Sequence, residues 1–492
     1  MEYNQHILSK STFLKGSQCP KALFLFKYRP ELRMELDEKT LQIMQLGTDV
    51  GKLARELFPD GVDASPETPY EYQKSVQLTQ EYIAKGHTVI YEACFQYEGV
   101  LCALDILVKQ NNKWHAYEVK SSTKVKDYHK TDASLQYYVI TKAGLAVEDI
   151  AIVHINNQYR RVGELNVQEL FTISSVLEDA KSNLSATEDK IVALKKVLEN
   201  KEQEPQIKVG MHCSEPFECE FKHYCWANIV LDEKFEYLNK KDEKYCLENE
   251  IYQLCDLPEN YRLHGNSLSK LSKLEQTEIS INKEAIQSFL SEIKVPFYYL
   301  DFETYQMAVP EFDNVRPYQM IPFQYSLHIK NSENETAHHF EFLGNGLSDP
   351  RPALLQKLIT ELGATGTIVC YNQTFEKTRL KEMANDFPEY EDAICAIIER
   401  IIDLMLPFQK AWYYHPDFGT SYSIKYVLPA LIPEFSYENL AIKNGGEASS
   451  IYPELKYMEQ NTKQQTEANL FAYCKLDTLA MVRIHEFLQQ IN

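Results

Sequence analysis

Apolar and polar positions alternate along this chain with a period that changes several times, and each change marks an element. KWHAYEVKSS alternates in steps of two, the pattern of a half-buried strand, and VIYEACFQYEGVLCALDILVK before it is strand-like as well. ATEDKIVALKKVLENKEQEPQ then reads as a charged helix. From about residue 227 to 294 the pattern is helical and polar, interrupted at NYRLHGNS, and from Val295 strands and helices mix, with GTIVCY as one apolar strand. In EANLFAYCKLDTLAMVRIHEFL, the residues Leu470, Tyr473, Leu476, Leu479, Ala480, Ile484 and Leu488 mark one face of an amphipathic helix. An α/β chain in three parts is expected: residues 1–226, a helical connector at 227–294, and 295–492. No internal repeat or low-complexity segment is visible.

Composition narrows the function classes. At 492 residues, with 44% apolar and 25% charged positions, the chain can build two or three ordinary cores. No apolar run is long enough to span a membrane, and MEYNQHILSKSTF lacks the order of a signal peptide, so a cytoplasmic protein is expected. Its eleven cysteines are then expected as thiols or metal ligands. A net charge of −20 argues against indiscriminate binding to phosphate backbones and requires any nucleic-acid contact to be concentrated locally.

The sharpest chemistry lies late in the chain. In YYLDFETYQM, Asp301 and Glu303 stand two apart on a strand and share a face, with Phe302 turned to the core. Two adjacent anions repel, and a hard divalent cation is their natural partner, although an isolated D-x-E also fits a solvated strand edge. YNQTFEKTRLKEMA makes a strand-to-helix turn with Asn372 and Glu376 near its start, and Tyr473 and Asp477, four apart, share a helix face. This order and spacing resemble the DnaQ-like exonucleases of the RNase H fold, in the subclass with a tyrosine before the last acid. The resemblance implies that Asp301, Glu303, Glu376 and Asp477 bind two divalent ions, Mg²⁺ or Mn²⁺, with Tyr473 orienting the attacking water and hydrolysis proceeding from 3′ ends. The family normally has Asp where this chain has Glu376. RPYQMIPFQYSLH, RIIDLMLPF and GTSYSIKYVLPAL are similar to segments of a bacterial family that carries such a domain after a RecB-like one. Asp403 is read first as a core cap, with a supporting or ligand role as the alternative. His485 is assigned no role and is expected to face solvent or pack.

The N-terminal part offers Asp105 in CALDILV and Glu118-Val119-Lys120 in HAYEVKSS, with Glu118 and Lys120 on one strand face. Taken alone, E-x-K is a surface charge pair. The D-x(12)-E-x-K pattern resembles the PD-(D/E)XK nucleases, of restriction-endonuclease-like fold. That resemblance implies a metal held by Asp105, Glu118 and a backbone carbonyl, and a Lys120 that stabilises the hydroxide or the developing phosphorane charge. Lys124, Lys126 and Lys130 follow, then Gln136, which matches the glutamine of the RecB-type Q-x-x-x-Y helix, with Ile140 in the tyrosine position and Tyr137 and Tyr138 nearby. The early-helix histidine of that family has no counterpart, and Gly51 stands about where it would fall.

Cys213, Cys219 and Cys225 in GMHCSEPFECEFKHYCW, with Cys19 in SQCPKALF, resemble the iron–sulfur RecB-like nucleases of the AddB and CRISPR-adaptation type. The resemblance implies a [4Fe–4S] cluster that clasps the two ends of the domain, with zinc as the chemical runner-up. The remaining cysteines read as core or surface thiols. Two function classes follow. One is a metal-dependent nuclease with two centres, acting on nucleic-acid ends (DNA with a free end is the expected partner) in repair, defence or CRISPR-like end processing. The other is a nucleic-acid-binding scaffold with degenerate sites, of which Gly51 and Glu376 would be the signs. The joint occurrence of Asp105, Glu118, Lys120, Asp301, Glu303, Tyr473 and Asp477 favours the enzyme.

Overall fold

The computed structural model describes residues 7–68, 71–435 and 440–491. It is a mixed α/β chain in two compact units, one mainly from residues before 262 and the other mainly from residues after it. The polar helical stretch at 227–294 is divided between them: residues 227–235 and 240–261 belong to the first unit, 236–239 and 262–294 to the second.

The first unit is built on a seven-stranded sheet. Its strands are β1 (Leu8–Ser9), β2 (Val62–Asp63), β3 (Val89–Tyr97), β4 (Val100–Gln110), β5 (Lys113–Lys120), β6 (Val147–Ile155) and β7 (Phe171–Ser175). They lie in the order β2-β3-β4-β5-β6-β7, with β1 added parallel to the start of β4. The strand-like run at 89–109 is thus a hairpin, folded at Glu98 and Gly99, both of which have positive φ. Its helices include α1 (Lys10–Gln18), α2 (Pro20–Tyr28), α3 (Glu38–Ala54), α4 (Tyr72–Ala84), α5 (Asp127–Lys142) and α6 (Leu184–Glu199), with others between and after them. Leu104, Leu107, Ala116, Ile150 and Ile152 of the sheet form one buried core with Leu135 and Val139 of α5 and Leu194 of α6.

The second unit has a five-stranded sheet: β8 (Phe297–Tyr305), β9 (Ile321–Lys330), β10 (His338–Leu343), β11 (Thr367–Cys370) and β12 (Ile401–Asp403). The order is β10-β9-β8-β11-β12, with β9 antiparallel to both neighbours and β8, β11 and β12 mutually parallel. Strand periodicity divides β8 cleanly. Tyr298, Leu300 and Phe302 enter the core on one face, while Tyr299 enters the opposite core together with Ile484 and Leu488. Asp301 and Glu303 follow Tyr299 on that second face. It is covered by the long helix α9 (Gln460–Gln489), preceded in the chain by α7 (Gln373–Asp386) and α8 (Ile424–Leu431). Of the apolar positions expected to define α9, Leu470, Tyr473, Ala480, Ile484 and Leu488 are buried, while Leu476 and Leu479 are only half-buried.

Candidate functional site

In the second unit four carboxylates from distant segments meet under α9. Asp301 and Glu303 come from β8, Glu376 from the first turn of α7, and Asp477 from the middle of α9. Burial, then the charges of Asp477, Glu303 and Glu376, push the Asp301 carboxyl well above its ordinary range. Burial and Asp477 likewise push Glu303 up to about 8, opposed by the Lys425 ammonium. Glu376, 2% exposed, is also pushed up to about 8, chiefly by burial and next by Asp403. Its Oε2 has no hydrogen-bond partner, a costly state for a buried carboxylate oxygen and one a cation would relieve.

The supports of these acids are specific. Asn372 sits in the left-handed region (φ 71°) between β11 and α7, so the chain turns sharply into the helix that carries Glu376. Asp403 accepts the backbone N–H groups of Asn372 (2.9 Å), Gln373 (3.2 Å) and Met405 (3.0 Å). It is therefore the cap that the first reading of the sequence expects. Helix α9 is fixed to β9 beside Asp477: the Thr478 hydroxyl lies 2.6 Å from Ser326 Oγ and 2.8 Å from His328 Nδ1. His485 does not face solvent; it is buried, with Nδ1 2.7 Å from the Tyr299 hydroxyl. A Cβ on Gly445 would stand 3.1 Å from Glu303 Oε2, so the bare backbone there lets the chain approach that carboxylate.

Cys474, read from the sequence as a core or surface thiol, is buried and also touches the site. Its Sγ lies 3.8 Å from Asp301 Oδ2. Among the described residues, Asp301, Glu303 and Cys474 form the group of three possible metal donors whose ligand atoms lie within 4.8 Å of one another. Tyr473 is buried one turn before Asp477, with the Lys425 ammonium 5.5 Å from its ring centre. Two clefts open beside the acids. Asp301, Asp477, Tyr371, Asn372, Ser423 and Ile424 are among the walls of one, and Glu303, Met320, Phe375 and Gly445 are among those of the other.

The first unit assembles a different cluster, in which lysines pair directly with the acids. Glu118 Oε1 accepts from both Lys120 Nζ (2.6 Å) and Lys10 Nζ (2.8 Å), while its Oε2 accepts from Gln136 Nε2 (2.8 Å). Lys120 also reaches Asp132 Oδ2 (2.8 Å), and Gln136 reaches Asp132 Oδ1 (3.0 Å). Asp105 accepts the Val119 N–H at 2.6 Å. Burial alone would raise the Glu118 carboxyl, but Lys10 and Lys120 outweigh it and hold it well below its usual range. Asp105 is pushed up to about 7 by burial and then by Glu118, and burial raises Asp132 as well. Gln136 is fully buried and its Oε1 lacks a partner.

Asp105, Glu118, Lys120 and Gln136 thus lie together, and three further residues join them. Asp132 had a legible signal, four residues before Gln136 on the same helix. Lys10 had none, being 108 positions from Glu118. Glu92 lies on β3, where the pairs Tyr91↔Ile106 and Ala93↔Leu104 bracket it opposite Asp105, and its φ of 50° is unusual for a non-glycine strand residue. It pairs with Arg55 at 3.2 Å. A Cβ on Gly51 of α3 would meet nothing within 4 Å, so the position has room for a side chain and lacks one. Tyr138 points elsewhere, its hydroxyl 3.3 Å from Glu188.

The four cysteines singled out in the sequence line one pocket, with Lys21, Ala22 and Phe221. Cys19 immediately precedes α2, and the segment 213–225 is tied to the N-terminal helices by several contacts. Gln18 Nε2 donates to the carbonyls of His212 (2.8 Å) and Phe217 (2.7 Å), and Lys15 and Arg33 both pair with Glu220. Burial raises the thiols of Cys19, Cys219 and Cys225, the last to about 11.

Comparison with known proteins finds similarity to one family model and to several relatives described as uncharacterized. Residues 298–423 match a family described as a domain of unknown function, DUF2779. The chain is 30% identical over 227 residues to the uncharacterized MG366 homolog of Mycoplasma pneumoniae, covering 41% of this chain and 33% of that protein. It is 27% identical over 247 residues to the uncharacterized protein UU173 of Ureaplasma parvum, covering 44% and 34%. With the uncharacterized MG366 of Mycoplasma genitalium it shares 24% identity over 337 residues, covering 59% and 50%. The matches therefore span a third to a half of these relatives' length. No helix among the described residues is long and apolar enough to cross a membrane.

Proposed function

We propose that the protein is a metal-dependent nuclease with two centres, acting at nucleic-acid ends, with DNA the expected substrate. The observation that carries this reading is the meeting of Asp301, Glu303, Glu376 and Asp477, all half-buried or buried, with an unpartnered Glu376 oxygen. Such a concentration of anions is unfavourable unless cations offset it, and carboxylate oxygens suit Mg²⁺ or Mn²⁺. When bound, the ions would activate water and stabilise the leaving oxygen. The residues' own tasks are distinct: the four acids hold the ions, and Tyr473 orients the water. The strand order of the second unit, β10-β9-β8-β11-β12 with only β9 antiparallel to its neighbours, supports an RNase H-like reading of that domain.

In the first unit, Asp105, Glu118 and Lys120 support a PD-(D/E)XK reading, with Asp105 and Glu118 as metal ligands and Lys120 beside the developing charge. The pocket of Cys19, Cys213, Cys219 and Cys225 supports a shared cofactor. Four thiols lining one pocket suit a [4Fe–4S] cluster, with tetrahedral zinc as the chemical runner-up.

The test uses 5′- and 3′-labelled single- and double-stranded DNA and RNA, with Mg²⁺, Mn²⁺ or chelator, and the variants Asp301→Ala and Lys120→Ala. Metal-dependent shortening from 3′ ends should vanish in Asp301→Ala and persist in Lys120→Ala. Loss of all cleavage in Lys120→Ala would leave the second unit as a binding domain. Absence of cleavage in the unaltered protein on every substrate would overturn the enzyme reading in favour of the scaffold.

A further inference from the structure

We infer that Lys425 is a substrate-contacting residue of the second centre, engaging a phosphate of the nucleic-acid strand beside the four carboxylates. This rests on the nuclease reading above and adds a group that reading leaves unused.

Lys425 lies in the first turn of α8, directly after Ser423 and Ile424, which line the same cleft as Asp301 and Asp477. Its ammonium stands 5.5 Å from the centre of the Tyr473 ring and lies close enough to Glu303 to oppose the rise in that carboxyl's pKa. The same ammonium donates to the backbone carbonyl of Lys443 at 2.9 Å. Two residues beyond Lys443, Gly445 packs against Glu303. Lys425 thus borders the tyrosine, one acid and the segment that shelters it.

A phosphodiester is an anion and must approach four acids. Metal ions can offset the charge at the bond being cut, but an adjacent phosphate needs its own cation at the rim. A lysine suits that place: a point charge with three donors on a flexible stem can donate to a charged phosphate oxygen. Its half-buried position beside the Tyr473 ring limits the directions from which the phosphate can arrive.

The experiment compares the unaltered protein with Lys425→Ala and Lys425→Arg. Fluorescence anisotropy with a labelled single-stranded oligonucleotide in Ca²⁺ gives Kd across a salt series, and hydrolysis in Mg²⁺ gives kcat and KM. Losing one phosphate contact should lower the slope of log Kd against log salt by about 0.7 and raise KM roughly tenfold in Lys425→Ala. Lys425→Arg should keep the slope of the unaltered protein. An unchanged slope in Lys425→Ala, with hydrolysis by the unaltered protein intact, would overturn this inference alone and leave Lys425 as a tie to Lys443. An unaltered protein that neither binds nor cleaves the strand would overturn the nuclease reading and this inference with it.

Discussion

The Tyr299 hydroxyl and His485 Nδ1, 186 residues apart, meet at 2.7 Å inside the joint between β8 and α9. Tyr299 is two residues before Asp301 on the same strand face, and His485 lies eight residues, just over two helical turns, after Asp477. The bond therefore fixes how far α9 slides along β8, and with it the approach of Asp477 to Asp301. Burial, and next the charge of Lys330, lower the imidazole pKa to about 4, so the hydroxyl pairs with a neutral ring, whose tautomer sets which of the two donates.

Tyr299→Phe keeps the ring and removes the bond, leaving a buried imidazole nitrogen unpaired at a cost of about 1–3 kcal/mol. At roughly 2–4 °C per kcal/mol for a unit of this size, calorimetry should show the second unit melting at least about 2 °C lower. The transition of the first unit should not move. An unchanged second transition would mean that packing alone sets the joint.

That pairing also marks the limit of what could be read from the chain. The period-2 pattern of YYLDFETYQM placed Asp301 and Glu303 on one face, and helical spacing did the same for Tyr473 and Asp477, because both rules are local. Nothing local announces that His485 faces Tyr299, that Lys10 reaches Glu118, or that Cys474 touches Asp301. Those contacts arise from the packing of elements more than a hundred residues apart. Glu92 was hidden differently: its register opposite Asp105 is legible only once the hairpin of β3 and β4 is aligned. Asp403 was legible as a cap because a carboxylate ending a short apolar strand has few other local uses.

Cys19 joins α2 to a segment nearly two hundred residues later, so removing its thiol should loosen both ends of the first unit. Protein purified without oxygen should be brown and carry iron. Cys19→Ala should lose the colour and lower the first unit's melting temperature, since cofactor binding to a site made only by the fold is itself folding energy. Colourless protein with stoichiometric zinc would select the other metal. A fully stable, metal-free protein would remove the cofactor altogether.

The pH dependence has a definite sign. Glu303 and Glu376 are each held near 8 in the fold, against an ordinary value of 4.5. Between those values the folded chain binds more protons than the unfolded one, so this contribution is complete below about 4.5 and is lost as pH rises through about 8. In chelator, the second unit should melt a few degrees lower at pH 8.5 than at pH 6, on the scale of roughly 2–4 °C per kcal/mol. Mg²⁺ or Mn²⁺ binds the ionised acids and should stabilise more at pH 8.5 than at pH 6. A metal effect equal at both values would place the ions elsewhere.

Glu376 separates stability from function most sharply, because its Oε2 is buried without a partner. Glu376→Gln removes the ionisable group at almost constant volume. In chelator at pH 8.5 the variant should melt higher than the unaltered protein, since repulsion and the cost of a buried charge are gone; at pH 6, where the unaltered side chain is largely protonated, the two should agree. Hydrolysis at the second centre should nevertheless be lost, for the neutral amide supplies no charge to a cation. Glu376→Asp asks about reach instead of charge. It withdraws the carboxylate by about one C–C bond, roughly 1.5 Å. The first turn of α7 cannot advance to compensate, because Asp403 holds the backbone N–H groups of Asn372 and Gln373. Activity should therefore fall by about tenfold or more, measured as 3′-end shortening in Mg²⁺. Full activity in Glu376→Asp would mean that the helix start yields, and that the cap at Asp403 does not set the depth of this carboxylate in the site.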